Sequence, residues 1–160
     1  MPTFSGEFQA AVRHVHVADH MLTQTYPLIR DPKLFLAIIE NTLLAFTHAM
    51  GAILEHERYH KRIPPFQDTF ESKLTMLKLR VAERIKLDPE LIATMVDVHA
   101  LHKMRKECHT EFGKSGAFVL CMDEGYTLKK ITSAMLKEHI AKAKKFIRTT
   151  GELCHQKVAP

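Results

Sequence analysis

Leu34 to Leu54, LFLAIIENTLLAFTHAMGAIL, is the stretch on which the fold turns. Glu40 is its only charged residue, and a run of about 20 apolar residues is long enough to cross a bilayer. Asn41, Thr42, Thr47 and His48 also interrupt the run, and polar groups are costly in lipid. A helix that is apolar on most sides yet carries such groups is expected at the centre of a bundle, covered by neighbours on several faces.

Asp31-Pro32, a capping residue followed by proline at the first helical position, opens this central helix, and the pattern continues to about Arg62. The loop Ile63-Pro64-Pro65-Phe66 closes it. Upstream, Phe8, Val12, Val15 and Leu22 recur at helical spacing and predict a first helix from near Ser5 to about Thr25, stopped by Tyr26-Pro27. Downstream, Asp68 followed by Glu71 resembles a capping box for a third helix to about Lys86. Asp88-Pro89 repeats the start signal of Asp31-Pro32 and launches a fourth helix to about Glu111. Past Gly113 the period changes: AFVLCM and Tyr126 to Ile131, around Asp123-Glu124-Gly125, read as two short strands. Thr132 or Ser133 caps a last helix to about Thr150, with Leu136, Ile140, Ala143 and Ile147 on its buried stripe. The expected architecture is all-α: a five-helix antiparallel bundle with a small β-hairpin between helices 4 and 5, occupying residues 1–160 as one domain.

Composition narrows the class. The 160 residues are 46% hydrophobic, with 6 glycines and 7 prolines, which excludes collagenous and linker-rich chains. Cys108, Cys121 and Cys154 are odd in number and form no CxxC pair, so neither a disulfide framework nor a cysteine zinc site is supported, and a reducing, cytoplasmic setting is expected. The start MPTFSGEFQAAVRHVH lacks the basic opening and apolar run of a signal peptide, and no membrane partner is expected.

Charge is concentrated. Lys129, Lys130, Lys137, Lys142, Lys144, Lys145 and Arg148 face the single acid Glu138 within one segment, which holds the excess of a chain whose net charge is +5. A basic face of this kind suits RNA or another polyanion, and equally a solvated helix surface. The fourth helix adds Lys103, Arg105 and Lys106. There the apolar line Leu91, Met95, Val98 passes into His102, Arg105 and His109, the wall of an anion-binding groove or a complement to the helix dipole. Arg105 and His109, at i and i+4, could grip a phosphate and exchange a proton with a ribose hydroxyl, which makes them the candidate catalytic pair.

His56-Glu57-Arg58-Tyr59-His60 matches HExxH, in which two imidazoles on one helical face bind zinc and the glutamate polarises a water. Arg58 inside the motif and Pro64-Pro65 soon after it favour a polar last helical turn instead. Glu57 to His60 is also the ExxH unit of di-iron bundles, which need a second copy on another helix. His16 and His20, one turn apart, could in principle join His56 and His60 in a mixed site. Surface or hydrogen-bonded histidines are the plainer reading, and no cofactor is expected.

Asn41 to Leu54, NTLLAFTHAMGAIL, in a long second helix of a five-helix chain, resembles the alanine-rich central helices of HEPN-type bundles (higher eukaryotes and prokaryotes nucleotide-binding). The resemblance implies a small dimeric helical bundle acting in RNA metabolism. Active members cleave RNA with an arginine and a later histidine separated by four to six intervening residues, and Arg105 with His109 has only three, one short of that pattern. The expected function is therefore RNA or polyanion binding without catalysis, by a homodimer, through Lys103, Arg105 and Lys106 and the Lys129 to Arg148 face. A protein-protein adaptor and a metal-dependent helical enzyme using His56, Glu57 and His60 are the alternatives.

Overall fold

Helix α1, Phe4–His20, does not stop where proline predicted. In the computed structural model, which describes residues 4–107, 110–114, 117–122 and 127–155, it widens into a π turn, Met21–Thr25, and resumes as a short α turn, Tyr26–Ile29. The Tyr26 N–H reaches back to the Met21 carbonyl, and Pro27 falls in the first turn of the resumed helix, where its missing donor costs nothing. The helix ends at Arg30, which has a left-handed φ of 56°.

Helix α2, Leu34–Tyr59, is the predicted central helix. Asp31 prepares its start by accepting the Lys33 N–H at 3.0 Å, and Lys61, with φ 57°, turns the chain away at its end. Helix α3, Phe70–Met76, runs on through a second π turn, Leu77–Val81. Thr69 caps it by accepting the Ser72 N–H at 3.2 Å, the role the sequence suggested for Asp68. Asp68 pairs instead with Lys73 at 2.8 Å. Helix α4, Pro89–Glu107, has the expected start, with Asp88 accepting the Glu90 N–H at 3.0 Å.

Strand β1, Thr110–Lys114, occupies residues assigned above to the end of the fourth helix and to the segment after it. It pairs antiparallel with β2, Ala117–Met122, which pairs in turn with β3, Thr127–Thr132, in the order β1-β2-β3. The anticipated hairpin is β2 with β3, in register Phe118↔Ile131, and β1 is an added edge. Thr110 and Phe112 favour strand, and pairing with β2 offers ladder bonds that a fraying helix end lacks. The Asp123-Glu124-Gly125 turn lies outside the described residues. Helix α5, Ser133–Leu153, begins at Thr132, whose hydroxyl accepts the Met135 N–H at 3.3 Å.

All four other helices pack on α2. Phe35, Ile38, Phe46, Met50 and Ile53 are buried along it, and Phe46 meets Phe146 of α5 at 6.1 Å between ring centroids. By length and composition α2 could cross a membrane, yet 56% of its most apolar window is buried inside the bundle. Leu136, Ile140, Ala143 and Ile147 lie buried on α5, as their spacing predicted.

Candidate functional site

The lysines of α5 face in several directions. Lys142 pairs with Glu90 at 2.5 Å and Lys145 with Asp88 at 2.9 Å, both at the start of α4, while Lys144 reaches Asp19 of α1 at 3.0 Å. The Asp88 carboxyl is held below its usual range by the Glu90 backbone N–H first and by Lys145 second. Lys137 stands with Arg30 beside Tyr26, Arg148 with His16 and Glu152 in a cleft between α1 and α5, and Lys129 with Asp97 and His139. Lys130 is exposed on β3. Exposed pairs add little to stability, but each cancels charge locally, so the lysine-rich helix does not present one unopposed patch. Counting local sequence charge missed this because the acids come from 52, 57 and 125 residues away.

A more uniformly basic site lies between the first turns of α2 and the last turns of α4. Lys33, Leu36, Ala37, Ile39 and Glu40 form one wall of a groove of about 420 Å³, and His102, Arg105 and Lys106 form the other. Three cations face one carboxylate across an apolar floor, and α4 brings Arg105 and Lys106 to its own carbonyl-rich end. His102 is held below the ordinary histidine range, by burial first and by Lys106 second, so its ring is neutral at pH 7 and can accept a hydrogen bond. Lys103 is exposed on the same helix. His109, the proposed partner of Arg105, lies outside the described residues.

The HExxH segment ends α2. His56 and His60 do come together, with ring centroids 4.6 Å apart, and Phe4 lies edge-on to His56 at 5.2 Å. Glu57, however, is turned inward and 2% exposed, with Oε1 3.3 Å from Arg62 Nη1 and Oε2 paired with Arg84. A carboxylate engaged by two guanidiniums is not placed to polarise a metal-bound water. His16 and His20 lie near the far end of α1 from Phe4, with His16 roughly 18 Å along the axis, so the two histidine pairs do not share a centre. A second ExxH string, Glu152 to His155, ends α5, but Glu152 lines the α1–α5 cleft rather than facing Glu57. Among the described residues no group of three His, Cys, Asp or Glu side chains is arranged to hold a metal ion.

Cys154 is a buried thiol beside the same centre. Its sulfur lies 3.7 Å from the Ala52 carbonyl, and burial, reinforced by the Glu57 charge, pushes its pKa up to about 12.

A polar seam between α1 and α2 was not assembled by sequence reading. Glu7 accepts from His48 Nδ1 at 3.0 Å, His14 Nδ1 lies 3.1 Å from Asn41 Oδ1, and the two imidazoles stand 5.4 Å apart with planes 4° from parallel. The buried ammonium of Lys73 lies close by and binds Asp68. Gly51 makes the approach possible, since a Cβ there would stand 2.6 Å from Glu7 Oε2 and 3.3 Å from Lys73 Nζ. The Glu7 carboxyl is held below its usual range, chiefly by the hydrogen bond from His48. The only sequence signal was the presence of Asn41 and His48, seven residues apart on one face of an otherwise apolar helix.

Comparison of the chain with protein-family models, with curated proteins and with solved structures gives no match.

Proposed function

We propose that this protein is a cytoplasmic, non-catalytic helical bundle that binds RNA or a related polyanion, and that the contact is the groove between α2 and α4 rather than the lysine-rich face of α5. The observation that carries the reading is the groove's charge: Lys33, Arg105 and Lys106 against Glu40, around a space of about 420 Å³. Cations gathered in a concave, partly apolar site attract phosphate more strongly than the same charges spread over a convex surface. The lysines that first suggested the function contribute less, because Lys142, Lys144 and Lys145 each have a carboxylate partner.

Fluorescence anisotropy with single-stranded RNA tests it. Affinity is expected to fall steeply between 50 and 300 mM salt, since each phosphate contact releases counterions. Lys33→Glu with Lys106→Glu is expected to weaken binding by roughly 30-fold, and Lys142→Ala with Lys145→Ala to change it by less than about 3-fold. Equal affinity at both salt concentrations, or a loss confined to the α5 variant, refutes the assignment.

A protein partner, including a second copy of this chain, is the other reading. Leu28 and Ile29 support it: they are 86% and 60% exposed at the tail of α1. Sedimentation across a dilution series is expected to show a dimer that Leu28→Ser with Ile29→Ser dissociates. A monomer at every concentration would remove the dimer.

A further inference from the structure

Where the tail of α1 meets the start of α5, two pairs of side chains line one space. Tyr26 and Arg30 come from the short turn that prolongs α1, and Ser133 and Lys137 from the first turns of α5. Each pair is four residues apart, the spacing that puts side chains on a common helical face. With Leu22 and Pro27 they enclose a cavity of about 450 Å³.

The charge of this cavity sets it apart. No carboxylate among the described residues lines it, whereas Glu152, Glu40 and Asp97 each stand in one of three other cavities. Asp31, next to Arg30 in sequence, is engaged by the Lys33 N–H at 3.0 Å. Two like charges lining one space repel, and an anion placed between them relieves the repulsion.

The donors suit phosphate. A guanidinium offers forked N–H pairs to two oxygens, an ammonium adds a point charge, and the Ser133 and Tyr26 hydroxyls can donate to the oxygens that remain. Tyr26 is positioned by its ring, 4.8 Å from that of Phe35 between centroids. We propose that this cavity binds a soluble phosphate monoester, with its organic group against Leu22 and Pro27. The monoester is a dianion above about pH 6 and matches the two cations. A phosphate within an RNA backbone is a diester with one charge, so this site differs in chemistry from the α2–α4 groove. The volume leaves room for a small organic group, since small-molecule sites measure roughly 300–1,000 Å³. Leu28 and Ile29, exposed in the same turn, do not line the cavity, which assigns the ligand to solution rather than to a lipid surface.

Calorimetric titration with phenyl phosphate is expected to show one saturable site, and the methyl phenyl diester to bind roughly 10-fold more weakly. Glycine adopts the φ of 56° found at Arg30 without strain, so Arg30→Gly should keep or raise the melting temperature while weakening binding by roughly 10-fold. A merely structural arginine would show the reverse. Lys137→Ala, at an exposed helical position, should weaken binding by roughly 10-fold, and Tyr26→Phe, which keeps the ring on Phe35, by roughly 5-fold. Lys106→Glu in the α2–α4 groove should leave it unchanged. Phosphatidylcholine vesicles containing phosphatidic acid should not retain the protein. Absence of saturable binding, equal affinity for monoester and diester, full affinity in both Arg30→Gly and Lys137→Ala, or loss in Lys106→Glu would overturn the proposal. Vesicle retention abolished by Leu28→Ser with Ile29→Ser would overturn the soluble ligand in favour of a lipid.

Discussion

Arg84→Ala should lower the stability of the fold by about 2–3 kcal/mol, read as a shift of the urea midpoint at unchanged m-value. The cause is Glu57, 2% exposed on the inner side of α2, whose two oxygens are matched by Arg62 and by Arg84 from the turn after α3. Removing one partner of a buried pair costs roughly 3–5 kcal/mol, mostly because a charge is stranded away from water. The figure here is smaller because Arg62 remains and both arginine side chains are nearly half exposed. Adding Glu57→Gln removes the stranded charge, so the double variant should be more stable than the sum of the two single losses predicts. Simple additivity would show that the centre is not coupled.

Acid should destabilise the protein from about pH 6.5 downward, well before its carboxylates titrate. His56, His102 and His139 are all held below the ordinary histidine range by burial first. The second cause is His60 for His56 and Lys106 for His102, while Asp97 partly opposes the shift at His139. For a lowered histidine pKa the unfolded chain binds the proton first, so stability rises with pH and is lost as pH falls from 6.5 toward the folded-state values. Each such group can contribute a slope of up to about 1.4 kcal/mol per pH unit. Glu7 and Asp68, also lowered, extend the loss below about pH 4.5 with the same sign. His139 offers the cleanest control, because its Nδ1 is buried without a hydrogen-bond partner among the described residues. His139→Phe should flatten the slope between pH 6.5 and 5.5. Stability that is level or rising over that interval would contradict the assignment.

Local chemistry was readable from the chain, and long-range chemistry was not. Asp88-Pro89 and Thr132 start helices where their side chains predicted, because a cap acts on amides two or three residues away. The placement of α2 followed from polar groups too costly for lipid in an otherwise apolar run. Pro27 misled because a π turn moved it into a first-turn position, an effect of backbone register rather than of proline itself. The lysines of α5 looked unopposed because their acids belong to other helices, and Glu57 stayed in the alternative metal-site reading because its partner Arg84 lies 27 residues downstream. Of the anion groove, only the α4 wall could be drawn beforehand. Lys33 and Glu40 join it solely through the crossing of α2 and α4.

The meeting of Phe46 with Phe146 has a consequence during synthesis. The most apolar helix emerges from the ribosome early, while the helix that seals it follows about a hundred residues later, several seconds at ordinary elongation rates. Throughout that interval a greasy surface stands open to chaperones and to neighbouring nascent chains. Codon usage between the two aromatic positions should therefore govern the yield of soluble protein more than codon usage elsewhere in the message.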